Sequence, residues 1–249
     1  MLGGGTAVLL QVAHPLVAAG VSEHSGYDRD LWKRLTGTMR ALYLMAFGTK
    51  AEAERAGAVV HGVHARVRGK TAVDLGPFPA GTPYSAEDPE LMLWVHATLV
   101  EASLSVYQRF ERRLSPDEEE RYYSEMALVA RLFGTPAEVI PQTLADFRDY
   151  FAAQLESPAI TVTPPAAEIA AVILDAPLPA ALKMFAPAHR LATAGQLPPR
   201  LRREYGLRWS AVHELALPLA AHGVKLTTKP VLRAASRFSP PRRALAANA

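Results

Sequence analysis

Residues 115–138 read SPDEEERYYSEMALVARLFGTPAE, and this stretch decides the fold class. Ser115 stands where an N-cap accepts a backbone N–H, Pro116 fills the first helical position, and Glu118 is the N3 partner of a capping box. Gly134 ends the segment, and Thr135-Pro136-Ala137-Glu138 writes the same helix start again at once. The grammar recurs elsewhere. Asp88-Pro89-Glu90 opens a segment expected to run to about Arg112, and Thr163-Pro164-Pro165 opens another before Ala166 to Leu174. Strand signals are nearly absent. The pattern predicts eight to eleven helices, at about 6–21, 29–48, 50–68, 89–113, 116–133, 142–156, 165–175, 179–193, 199–205, 208–222 and 225–236. The expected fold is all-α, a single globular multi-helix domain; no fixed-period repeat points to a solenoid. Segments 6–21 and 89–113 are apolar nearly all round and are expected to form the core. Lys70 to Pro83, rich in Gly and Pro, is the one long irregular loop, of a kind that often forms a rim or lid.

Composition narrows the function. The chain has 249 residues, 49% of them hydrophobic, enough for one core spanning 1–249. It has no cysteine, which excludes disulfides, iron–sulfur clusters, a Cys nucleophile and a thiolate ligand to any haem. Such a chain is expected in a reducing, cytoplasmic setting. The formal charge is only +3. Arg233, Arg237, Arg242 and Arg243, interrupted by Pro240 and Pro241, read as a solvated terminus, frayed from about residue 237. Nucleic acid is not an expected partner, since basic and aromatic residues do not interleave. The most apolar segment, Thr6 to Val21, carries Gln11, His14 and Pro15. It is too short and polar for a transmembrane helix, which needs about 20 apolar residues, and no charged region precedes it as in a signal peptide. The opening on Gly3-Gly4-Gly5 directly before this helix suggests that part of a natural N-terminus is missing.

Several residues could carry chemistry. In the segment 29–48, Leu31, Leu35, Thr38, Leu42 and Met45 share one face, which places Thr38 within the apolar stripe and Arg34 at its edge. A core-facing Arg needs an anion, a ligand or a hydrogen-bonded partner; the alternative is an Arg that snorkels to the surface. In the segment 50–68 the buried face is expected to hold Ala53, Ala56, Val60, Val63 and Val67, with His64 among them and His61 nearer the edge. His64 reads either as a satisfied core histidine or as a metal or haem ligand. The pair His61 and His64 has no nearby third ligand of zinc type. Pro15 leaves the Gln11 carbonyl without its helical donor, so that break is either repaired by a neighbouring side chain or lines a cavity with His14. His96 is expected in a buried polar network with Thr98, Glu101 and Ser105. No nucleophile elbow, phosphate loop, kinase or hydrolase signature is present.

Taken in order, the motifs resemble those of the MpaB/rubber oxygenase family, which includes the latex clearing protein. The matching pieces are Leu10 to Pro15, Ala19-Gly20-Val21, His24-Ser25, Arg34-Leu35 with Thr38, His64-Ala65 with Val67 and Gly69, Tyr84 with Ala86 and Asp88-Pro89, Trp94 through Val100, and Glu120 through Tyr123 with Glu125. They run from residue 3 to about Trp209. The resemblance implies haem b (iron) held by His64, with Arg34 and Thr38 as catalytic residues on the opposite side. His14 and Arg68 are implied near the cofactor, in the cleft wall or at a propionate. It further implies a haem-dependent oxygenase that uses dioxygen or peroxide on a hydrophobic, olefinic or isoprenoid-like substrate. The alternative is a non-enzymatic helical haem or lipid-binding protein. Latex-cleaving members carry a Lys just before the Thr; here that position is Gly37, so no amine caps the iron.

Overall fold

Pro15 has no N–H and its ring collides with the preceding turn, so the most apolar segment forms two helices where one was expected at 6–21. α1 spans Gly4–Val12 and α2 spans Pro15–His24, and the two differ in direction by 108°. The Trp94 indole N–H donates to the Gln11 carbonyl at 3.2 Å. The His14 N–H donates to the same oxygen at 3.2 Å, so a backbone donor and a neighbouring side chain together repair the break. The computed structural model describes residues 3–24, 31–175, 184 and 186–223. The expected helix at 225–236, the basic tail, Ser25 and the start of the helix expected at 179–193 lie outside the described residues. So do the side chains of residues 31–35, Arg34 among them.

The remaining elements are α3 (Leu31–Phe47), α4 (Lys50–His64), β1 (Arg68–Lys70), β2 (Pro83–Ser85), α5 (Pro89–Phe110), α6 (Pro116–Leu132), α7 (Leu144–Glu156), α8 (Pro164–Leu174), α9 (Ala186–Gly195) and α10 (Pro199–Glu204); residues 211–223 form α11. Among the described residues the fold is all-α but for one two-stranded hairpin. The helix starts are made by local bonds: Ser115 and Glu118 form a capping box, and Asp88 accepts from the N–H groups of Glu90 and Leu91. The start at Thr135 yields only a 3-10 turn, Ala137–Val139. Pro141 has no N–H for a further turn, and Ile140 before it is extended, with ψ 121°.

α4 ends earlier than the expected 68. Beyond His64 the chain turns and pairs Arg68 with Ser85, Gly69 with Tyr84 and Lys70 with Pro83, antiparallel. That hairpin was not legible as strand, because each partner is three residues long. The loop between them is tied internally: Thr71 Oγ1 donates to the Pro79 carbonyl at 2.8 Å, and Asp74 Oδ1 accepts from the Ala80 N–H at 2.7 Å.

The core lies where expected, at α1 and α5. Leu9, Leu10, Trp94, Ala97 and Val100 pack with Tyr123 of α6 and Phe147 and Phe151 of α7. A smaller cluster, Met45, Ala56 and Val129, joins α3, α4 and α6. Among the described residues no single helix is long and apolar enough to cross a membrane; α1 and α2 reach that length only as a bent pair.

Candidate functional site

The turn at Gly48-Thr49 sets the geometry. The Thr49 hydroxyl accepts from the Glu52 N–H at 3.4 Å, and the Glu52 carboxylate accepts from the Thr49 N–H at 2.8 Å. This capping box starts α4 directly after α3, so the two helices form an antiparallel hairpin. Ala41, Leu42, Met45, Ala56 and Val60 pack together near the turn. Counting outward at about 1.5 Å per residue on each helix, Thr38 comes level with Val59 and Val60, and Arg34 with Val63 and His64. The faces agree as well. At 100° per residue, Arg34 and Thr38 lie within about 20° of Met45 on α3. On α4, His64 continues the stripe of Ala53, Ala56 and Val60.

The cover of this inner face does not run its full length. Met45 and Ala56 are buried, Val60 is half-buried, and Val63 is exposed. Thr38 is exposed as well, which corrects the expectation that the stripe is buried at that position. The stripe continues to Thr38, but its neighbour α6 crosses nearer the turn. Gly57 marks the closest approach, since a Cβ there would meet the Leu132 carbonyl oxygen at 2.6 Å. Gly37 is exposed, and a Cβ on it would meet nothing within 4 Å.

His64 is half-buried, and its Nδ1 is enclosed without a hydrogen-bond partner. Burial lowers its pKa, the neighbouring His61 lowers it further, and Glu87 opposes the shift. The ring is therefore neutral at pH 7, the state a metal ligand requires. His61 is exposed, with Nδ1 3.7 Å from a Glu87 carboxylate oxygen. Glu87 escaped the sequence reading because it reaches α4 from the residue before the α5 cap.

The other candidates have defined places. His14 is buried between α1 and α2, with its Nδ1 accepting from the Leu16 N–H at 3.3 Å and its ring 5.4 Å from Phe78. It thus caps the first turn of α2, and burial lowers its pKa to about 4. Arg68 is exposed and donates to the Ala65 carbonyl at 2.6 Å, tying off the end of α4. His96 is buried in α5, and neither ring nitrogen has a partner. The expected network around it is not formed: Thr98 turns to the Val95 carbonyl at 2.7 Å, while Glu101 and Ser105 line a separate cleft with Arg148. Burial raises the Glu101 pKa. One cluster was missed. Tyr84 donates to Glu23 at 2.5 Å and lies 3.2 Å from His24 Nε2. These partners are some sixty positions apart, so no local signal pairs them.

One cleft of about 560 Å³ lies between α5 and α6, and another of about 450 Å³ lies between α5 and Arg148 of α7. Neither is lined by Thr38, His14 or His64, so the apolar cleft expected at the site is not among them. Among the described residues no three His, Asp or Glu side chains gather as a metal site.

Comparison with known proteins bears on this arrangement. Residues 1–226 match the family described as ER-bound oxygenase mpaB/B'/Rubber oxygenase, catalytic domain. Two similar chains are the uncharacterized protein Mb2261 of Mycobacterium bovis and the uncharacterized protein Rv2237 of Mycobacterium tuberculosis. Each is 26% identical over 215 residues, which is 83% of this chain and 80% of the relative. No solved structure matches. With the ordered motifs on α1 to α6 and a match over nine-tenths of its length, the chain belongs to the mpaB/rubber oxygenase catalytic-domain family.

Proposed function

We propose that this protein is a haem-b-dependent oxygenase acting on a hydrophobic, olefinic or isoprenoid-like substrate, with His64 as the iron ligand. The observation that carries the reading is the His64 ring: neutral, half-buried, with an enclosed nitrogen that no protein group satisfies. A buried nitrogen left unpaired costs about 1–3 kcal/mol, and a bound cofactor that draws on the ring offsets that cost. When bound, haem supplies the redox-active iron that activates dioxygen or peroxide.

The residues of the hairpin support the rest. Thr38, about one turn nearer the hairpin's turn than His64, carries a hydroxyl that both donates and accepts at Oγ1. Arg34, one turn further out on the same line of α3, carries a permanent positive charge. Together they are suited to orient a small polar oxidant and stabilise charge that develops on it. Met39 and Val63, the neighbours of Thr38 and His64, are exposed apolar side chains that offer surface to a hydrophobic ligand. Gly37, about 100° round α3 from Thr38, has open space beside it and carries no side chain to reach toward the site.

The test is an absorption spectrum and pyridine haemochrome assay after reconstitution with haem, run beside turnover of an olefin. A Soret band with turnover is expected. A Soret band without turnover makes the protein a carrier, and failure to retain protohaem overturns the reading.

A further inference from the structure

The C-terminal half of α5 faces Arg148 of α7 across the cleft of about 450 Å³, which is lined by Glu101, Ser105, Gln108, Arg109, Arg113 and Arg148. Glu101, Ser105, Gln108 and Arg109 recur at three- and four-residue spacing, which puts them on one side of the helix. Arg113 joins them from just beyond its end. Half of these side chains are arginines, so the question is what balances their charge.

The nearby acids are already committed. Arg112 holds both oxygens of Glu118, at 2.8 and 2.6 Å. Glu119 accepts from Arg148 at 2.6 Å and from the Gln108 amide at 2.7 Å. The guanidinium groups of Arg109 and Arg113 have no hydrogen-bond or ion-pair partner among the described residues. The half-buried Ser105 hydroxyl has none either. Glu101 is half-buried as well, and burial pushes its carboxyl toward the neutral acid, which weakens its opposition to an anion.

With Arg148 balanced by Glu119, two cations at the cleft stay unbalanced. Guanidinium groups recognise oxyanions through paired N–H···O bonds. A carboxylate neutralises one such cation. A phosphate ester, at about −1.5 to −2 near pH 7, neutralises both.

We propose that this cleft binds the phosphate group of a small phosphorylated molecule, gripped by Arg109 and Arg113 with Ser105 donating beside them. The cleft begins about 18 Å along α5 from Pro89, and the Glu87 contact with His61 lies at that other end. Phosphate binding is therefore independent of the haem assignment.

Glycerol 3-phosphate is titrated into the full chain by isothermal calorimetry near pH 7 at fixed ionic strength, beside acetate. A saturable site with a dissociation constant of about 1 mM or below is expected, and acetate should bind at least tenfold more weakly. Arg109→Gln/Arg113→Gln should weaken glycerol 3-phosphate binding by about tenfold or more. Its far-UV helical signal should be unchanged, because both side chains are exposed and unpaired. Arg131→Gln/Arg203→Gln, which removes the same charge from exposed positions elsewhere, should leave the affinity as it was. No saturable heat from the parent protein overturns the proposal. So does acetate binding as tightly as the phosphate ester, or an equal loss in both double variants, which would mark adsorption to net charge and no site.

Discussion

His64 and Thr38 illustrate how little a side chain's type says about its task until its partners are known. His64 is one of three histidines whose pKa burial lowers, with His14 and His96. His14 uses its Nδ1 to cap α2, and His96, unpartnered at both ring nitrogens, is enclosed within α5, whereas His64 is only half-buried and stands at an open helix end with its Nδ1 unpartnered. That contrast makes His64 the ligand candidate. On the proposed reading His64→Ala should lose haem while the helical far-UV signal survives, because one side chain among many contacts rarely decides a fold. Arg34→Ala and Thr38→Ala should retain haem and lose on the order of a hundredfold in rate, the usual cost of removing a preorganised donor. Haem content and turnover are measured on the same samples. Retention of stoichiometric haem by His64→Ala, with loss in His61→Ala or His14→Ala, would show the assignment wrong. Gly37 makes a separate prediction. With no amine beside Thr38, the ferric spectrum should shift on adding azide or imidazole, and a low-spin spectrum indifferent to both would contradict it.

At the scale of elements, two contacts decide how helices meet, and each can be tested by a single change. Trp94 of α5 satisfies the Gln11 carbonyl freed by Pro15, tying the α1–α2 break to the central helix. Trp94→Phe keeps most of the apolar bulk but leaves that part-buried carbonyl to the His14 N–H alone. A loss of about 0.5–1.5 kcal/mol is expected, read from urea denaturation. Gly57 lets α4 approach α6, with the Leu132 carbonyl oxygen 2.6 Å from where a Cβ would stand. Helix propensity alone favours Gly57→Ala by up to about 1 kcal/mol. Backbone cannot move aside as a flexible side chain can, so the clash should win. The variant is expected to be destabilised by about 1–3 kcal/mol and to loosen the hairpin that carries Thr38 and His64. A more stable Gly57→Ala protein would show that α4 and α6 are not locked at this point.

For the whole molecule, the buried histidines set the response to acid. His14 and His96 titrate near 4 in the folded protein, against the usual 6.5 of an unfolded chain, because burial disfavours the charged ring. Between those values the unfolded chain binds more protons than the folded one. Stability from these groups is therefore fully present above about pH 6.5 and is lost as pH falls toward 4. Each group contributes at most about 3 kcal/mol across that window, and His64 adds to it in the same direction. Urea midpoints measured from pH 7 to 4.5 should fall steadily. His96→Leu removes a buried ring with two unpartnered nitrogens, so its decline should be shallower, with higher stability than the parent at pH 5. Parallel declines for both proteins would show that His96 takes up its proton without cost.

What the sequence determined by itself was local. The caps at Asp88 and Ser115 act over two or three residues, so the helix starts and the all-α class were legible from spacing. The ordered motifs were equally legible as family marks, and the shared stripe of Arg34, Thr38 and Met45 follows from helical period alone. Only the tertiary structure decided where those stripes are covered. Thr38 is exposed because α6 crosses the hairpin nearer its turn, a fact set by Gly57 and Leu132, which are remote in sequence. The same holds for the Trp94 repair at Gln11, the short β1–β2 pairing and the Glu23–Tyr84–His24 cluster. A cap or a stripe is fixed by bonds within a turn or two. Cover, partner and burial depend on which distant elements meet, and nothing in a local pattern encodes that.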